Sequence, residues 1–143
     1  MNRLIMKVQR YLLFVAAAIL LAINASVTSL VYAQPALSAE QKFPDVLAVS
    51  VKARGNNHFD FDATIASPYD TPQRYADAFR VMSTDGVVYG VRTLFHDHAD
   101  EQPFTRDLYG ISIGAGVSHL IIQARDRQNG YGGKTVTVTL PGR

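Results

Sequence analysis

The stretch Phe95-His96-Asp97-His98-Ala99-Asp100-Glu101 holds two of the chain's four histidines and three of its twelve acids. In extended backbone, residues two apart face the same side, so His96 and His98 would present both imidazoles to one point. Two imidazoles with a nearby carboxylate such as Asp100 or Glu101 are the ligand chemistry of Zn²⁺ or Cu²⁺. His58, on the polar face of another predicted strand and beside Asp60, is the candidate third imidazole. One reading is therefore a metal site built from His96, His98, His58 and Glu101. The other, which leads, is a solvated surface loop, because H-x-H without a fixed third ligand specifies a metal only loosely. On that reading the loop is a contact surface. Phe95 and Phe104 flank the polar stretch, and aromatics beside charged groups suit recognition, so Phe95, Asp97, Asp100 and Phe104 are the candidate partner-binding residues.

Other constellations carry less chemistry. Asp60, Asp62 and Thr64 fall on one face of a predicted strand. Paired carboxylates for glycoside hydrolysis need a cleft between them, whereas acids side by side on an exposed strand are expected to discourage edge pairing. No G-x-S-x-G elbow occurs, and cysteine nucleophiles are absent by composition. Ser118 and His119 are adjacent and, within a strand, would point apart. Gly130-Tyr131-Gly132-Gly133 is not followed by a helix that could cradle phosphate. Its glycines are expected to supply positive φ in a hairpin, with Tyr131 packed over the sandwich end. Arg106-Asp107 and Arg125-Asp126-Arg127 read as charge pairs at strand ends, with Asp126 a structural anchor if it ties down the glycine-rich loop. No catalytic constellation emerges, so the expectation is a protein that is not an enzyme.

Those residues sit on a β-strand pattern. Val46 to Arg54 is strand-like and ends at the turn Gly55-Asn56-Asn57. His58 to Ala66 alternates, with Phe59, Phe61, Ala63 and Ile65 on one face and polar residues on the other. Tyr75 to Ser83 and Val87 to Leu94 flank Thr84-Asp85-Gly86, a tight hairpin signal. A fifth strand lies within Phe104 to Ile113, a sixth spans Val117 to Asp126, and Lys134 to Leu140 closes the pattern with Val136, Val138 and Leu140 inward. Seven short strands at this spacing predict an all-β fold: a single antiparallel seven-stranded immunoglobulin-like β-sandwich, over residues 46–141. The phrase GVSHLIIQARD (Gly116–Asp126), leading into the loop Gly130-Tyr131-Gly132-Gly133, resembles small exported bacterial β-sandwich proteins of immunoglobulin-like or fibronectin-III-like plan. The resemblance implies a fold and export, and no activity. The Cys-Trp-Cys core of immunoglobulin domains has no counterpart, since the chain contains neither residue.

The chain opens with Arg3, Lys7 and Arg10, then has no charged residue from Tyr11 to Val31, then Val31-Tyr32-Ala33. That order predicts a secretory signal helix over residues 1–33, cleaved after Ala33 with Ala39 as a second site, and a linker over 34–45. The alternative is an uncleaved anchor, disfavoured by Asn24, Ser26, Thr28 and Ser29. Three of the 14 basic residues and none of the 12 acids precede Gln34, leaving 11 against 12. A near-neutral domain has no electrostatic footprint for nucleic acid or anionic lipid, so neither is expected as a partner. The expected location is periplasmic or secreted. The sequence thus predicts an exported binding or accessory module that meets a protein or small ligand through residues 95–104. Its alternative is a Cu- or Zn-binding protein using His96 and His98, with no other cofactor.

Overall fold

The computed structural model describes residues 41–143; the predicted signal segment, its cleavage site and most of the linker lie outside them. Eight strands run in chain order: β1 (Asp45–Gly55), β2 (His58–Ala66), β3 (Ala76–Ser83), β4 (Val88–Thr93), β5 (Phe104–Ser112), β6 (His119–Asp126), β7 (Gly130–Tyr131) and β8 (Val136–Thr139). They form two antiparallel sheets. One has the order β1-β2-β5; in the other β4-β3-β6 is followed by the two-residue β7 and by β8, both paired with β6. The all-β expectation is met. The predicted seven strands become eight because Arg127–Gly133, expected as loop, pairs briefly with the end of β6.

Alternation places the core. Phe59, Phe61, Ala63 and Ile65 of β2 are buried, and so are Phe79 and Val81 of β3 and Leu120, Ile122 and Ala124 of β6. Registers bring them together: Phe79 lies opposite Ala124, Val81 opposite Ile122, and Phe61 opposite Leu108. Two faces with a period of two close on each other, which is how antiparallel sheets bury apolar area. The hairpin at Thr84-Asp85-Gly86 forms as its sequence dictates, Gly86 taking φ +90° and Ser83 N–H donating to Val87 O at 2.8 Å. Gly90 has a different task. A Cβ there would fall 2.8 Å from Ile111 Cδ1, so any larger residue would push the Ile111 side chain aside where β4 faces β5.

Asp60 and Asp62 do not guard an edge, because β2 is the middle strand of its sheet. Asp60 is buried and serves a β-bulge: Tyr109 and Gly110 together oppose it, Gly110 takes φ +70°, and the Gly110 N–H donates to Asp60 Oδ1 at 2.9 Å. Arg54 pairs with its other oxygen. Burial alone would raise this carboxyl, but Gly110 and Arg54 hold it below the ordinary value.

Asp126 is the anchor its position allowed. It is fully buried, and its Oδ1 accepts the amides of Gln128 at 3.0 Å and Asn129 at 2.7 Å, while Arg74 Nε donates to Oδ2 at 3.2 Å. Arg74 Nη2 in turn holds the carbonyls of Gln41 and Lys42 at 2.9 and 3.1 Å. Residues 41–45, expected as linker, are therefore docked: Phe43 fills the space beside Gly132, and Lys134 N–H donates to Asp45 Oδ1 at 2.8 Å. Tyr131 does not cap the sandwich end. It lies beneath the Arg80 guanidinium, 4.0 Å from its ring centroid, on the outer face of the sheet.

Removing the Asp126 carboxylate takes away the acceptor shared by the Gln128 and Asn129 amides and the mostly buried Arg74 guanidinium. Asp126→Ala is expected to lower unfolding free energy by about 3–5 kcal/mol in urea titration. A loss below about 1 kcal/mol would show that other contacts hold the loop.

Candidate functional site

Residues 95–103 carry the chain from β4 in one sheet to β5 in the other. β4 is not prolonged through them: it ends at Thr93, Leu94 N–H bonds Asp77 O at 2.8 Å, and a short 3₁₀ turn forms at Ala99–Glu101. The strand geometry that would have set His96 and His98 on one side is absent.

What fixes this segment lies in another loop. Asp70, buried in the connection between β2 and β3, accepts the His98 amide on Oδ2 and the Ala76 amide on Oδ1, both at 3.1 Å. Gln102 adds a second tie. Its Oε1 accepts Ser67 N–H at 2.7 Å, and its Nε2 donates to Ser67 Oγ at 3.3 Å and to His98 O at 3.1 Å. Sequence reading missed Asp70, Ser67 and Gln102. The segment Ser67-Pro68-Tyr69-Asp70-Thr71-Pro72 announces a turn, in which an aspartate is expected to bond its own backbone, and nothing local signals a partner 28 residues on.

His98 lies inward. It is 2 % exposed, and its ring stacks on Phe104 with centroids 3.9 Å apart and planes 16° apart. Neither imidazole nitrogen has a hydrogen-bond partner, and the nearest carboxylate oxygen, Asp70 Oδ2, is 4.0 Å from Nδ1. Burial pushes this imidazole below its ordinary value; Arg106 and His96 act in the same direction, and Glu101 and Asp70 oppose them. Phe104 is buried too, so it is the floor of the site and not the contact residue expected of it. The cause is register: Phe104 pairs with Ile65 and so faces the core.

The remaining predicted residues separate by exposure. Phe95 stands 84 % exposed, Asp100 and His96 are exposed, and Asp97 is half-buried with Oδ1 accepting Ala99 N–H at 3.3 Å. Glu101 pairs with Arg106 at 2.9 Å, which holds its carboxyl below the ordinary value.

The four predicted metal ligands do not share a centre. His58 opens β2 and bonds Asn56 O through Nδ1 at 2.7 Å, whereas the His98 stack sits at the Ile65 end of that strand. Seven residues of strand separate the two by roughly 23 Å. Glu101 is committed to Arg106, and among the described residues no three histidine or acidic side chains are grouped to hold a metal ion. His96 and His98 do lie close, with ring centroids 4.9 Å apart, as a tilted aromatic pair.

Ser118 and His119 overturn a different expectation. β6 begins at His119, so strand alternation does not reach Ser118, and Ser118 Oγ lies 2.8 Å from His119 Nδ1. A hydroxyl beside an imidazole is half of a nucleophilic arrangement. Among the described residues no carboxylate bonds this imidazole to orient it.

Comparison with known proteins gives one informative match. The "Putative lipoprotein" of Halomicrobium mukohataei is 30 % identical over 94 residues, covering 66 % of this chain and 46 % of that protein. The chain thus spans about half the length of the relative it matches. No family model matches the chain, and no solved structure matches it significantly. Among the described residues no helix is long and apolar enough to cross a membrane.

The His98 environment sets a pH dependence whose sign can be worked out. Its folded value lies below the ordinary 6.5, so at and below pH 6.5 the unfolded chain binds more protons than the folded one. The contribution is complete above pH 6.5 and declines as pH falls through that value toward the folded one. Unfolding free energy of the purified chain, followed from pH 7.5 to 5.5, is expected to decrease. His98→Phe, which preserves an aromatic stack on Phe104, is expected to flatten that decrease; an unchanged slope in the variant would contradict the assignment.

Proposed function

We propose that this protein is an exported, non-catalytic recognition module whose contact surface is the 95–104 segment. The observation that carries the reading is Phe95: a large aromatic 84 % exposed, on a segment whose next turn is pinned from beneath by Asp70 and Gln102. Exposing an aromatic to water has a cost that folding does not recover, and a rigid base lets it be recovered on binding. Asp100 and His96 beside it supply a polar rim of the sort that surrounds anchor residues in interfaces. The expected partner is a protein or small ligand outside the cytoplasm.

Sheet order supports the fibronectin-III-like plan over the constant-type immunoglobulin one. In the latter the fourth strand joins the sheet of the first two; here β4 pairs with β3. The relative's name supports export and a surface location. These 143 residues contain no cysteine on which a lipid could be placed, so lipid attachment is not carried over to them.

The test is photocrosslinking from inside the surface. With Phe95→p-benzoylphenylalanine in cells that export the chain, a discrete adduct is expected under ultraviolet light. The same group at Thr139, on β8, serves as the control. No adduct at position 95, or the same adducts from both positions, would remove the basis for this reading.

A further inference from the structure

The His98 side chain is 1 % exposed, and two unpartnered ring nitrogens in such a place are unusual, because a buried polar group is normally hydrogen-bonded. As a neutral ring His98 leaves one donor and one acceptor unpaired, at a cost, while it stacks on Phe104. A protonated ring is in a different position. It has two N–H donors and a charge, both removed from water.

The groups facing it offer no acceptor in place. From the β2–β3 connection comes Asp70, 4.0 Å away, each of whose oxygens already accepts a backbone amide. From its own segment come Glu101, held by Arg106 at 2.9 Å, and His96, whose ring is 4.9 Å off. From β5 comes Arg106, whose positive charge disfavours a second cation there. Two adjustments relieve the imidazolium. Asp70 Oδ2 can turn to it and give up the His98 amide, or the ring can leave Phe104 for water. The first breaks the tie of His98 to Asp70 and the second removes the ring from beneath the segment, leaving Gln102 and Ser67 as the remaining attachment.

We propose that the segment between β4 and β5 is an acid-sensitive latch, in which a proton taken up by His98 detaches it from Asp70 while both sheets stay folded. The deep core residues Phe61, Phe79 and Ile122 belong to the paired strands β2, β3 and β6, so the opening can be local. A histidine whose protonation changes what its ring can bond to is an ordinary basis for a pH-driven change of this kind. That opening alters what a partner meets rests on the recognition reading above; the latch itself does not.

The test is a pH titration of the isotopically labelled purified chain by nuclear magnetic resonance, from pH 7.5 to 4.5. The backbone amides of His98 and Ala76 are expected to shift with the same midpoint as the His98 ring, while those of Val81 and Ile122 hold still. His98→Phe is expected to lose the transition and His96→Ala to keep it. Asp70→Asn is expected to move the His98 and Ala76 amides toward their acid positions already at pH 7.5. The proposal is overturned if the ring titrates while both amides stay put, or if the amides move only when the sheets unfold. These readouts need no partner, and Phe95→Ser should leave them intact, so the latch and the recognition surface fail separately.

Discussion

Backbone amides that the sheet ladders leave unpaired, at the ends of a sandwich or at a bulge, need another acceptor. In this protein aspartate side chains supply it. Asp70 takes the amides of Ala76 and His98, Asp126 those of Gln128 and Asn129, and Asp60 that of Gly110. Each of the three is buried. Each joins backbone that the ladders leave unpaired, at a crossover, a glycine-rich loop and a bulge. In a chain without cysteine, these carboxylates take on the cross-linking that disulfides give to many small exported domains. They differ from disulfides in one respect that matters here: a hydrogen bond to a carboxylate can be surrendered to a nearby cation.

That dependence explains why the candidate surface is ordered despite its composition. A segment reading Phe-His-Asp-His-Ala-Asp-Glu has the polarity of a free loop, yet it is held at His98 from below and at Gln102 from the side. On the proposed recognition reading, order beneath and exposure above would let Phe95 serve as an anchor whose conformation need not be fixed at the moment of binding. His98 completes the platform as a flat ring stacked on Phe104.

Much of the scaffold was legible because it rests on local periodicity. β2 matches its predicted limits residue for residue, and the Asp85-Gly86 turn forms where the dipeptide says it should. The site was legible in place and not in roles. Phe104 and His98 were read as surface because their neighbours are polar, whereas burial came from pairing with Ile65 and from a loop far away in sequence. Asp60 was read as an edge guard because sequence cannot say which strand is central. Its true partner Gly110 lies 50 residues on. Ser118 and His119 were read as pointing apart because the strand was extended two residues too early. For His98 and Asp60 the cause is shared: side-chain to backbone bonds across long separations leave no local pattern.

The central claim is that residues 95–103 form a fixed platform held by Asp70. Native-state hydrogen exchange of the purified chain at pH 7.5 addresses it most directly. The account predicts that the amides of His98 and Ala76 are protected far beyond those of the exposed turn Thr84–Gly86 and approach those of β3 and β6. Exchange of the His98 amide at the rate of that open turn would contradict it.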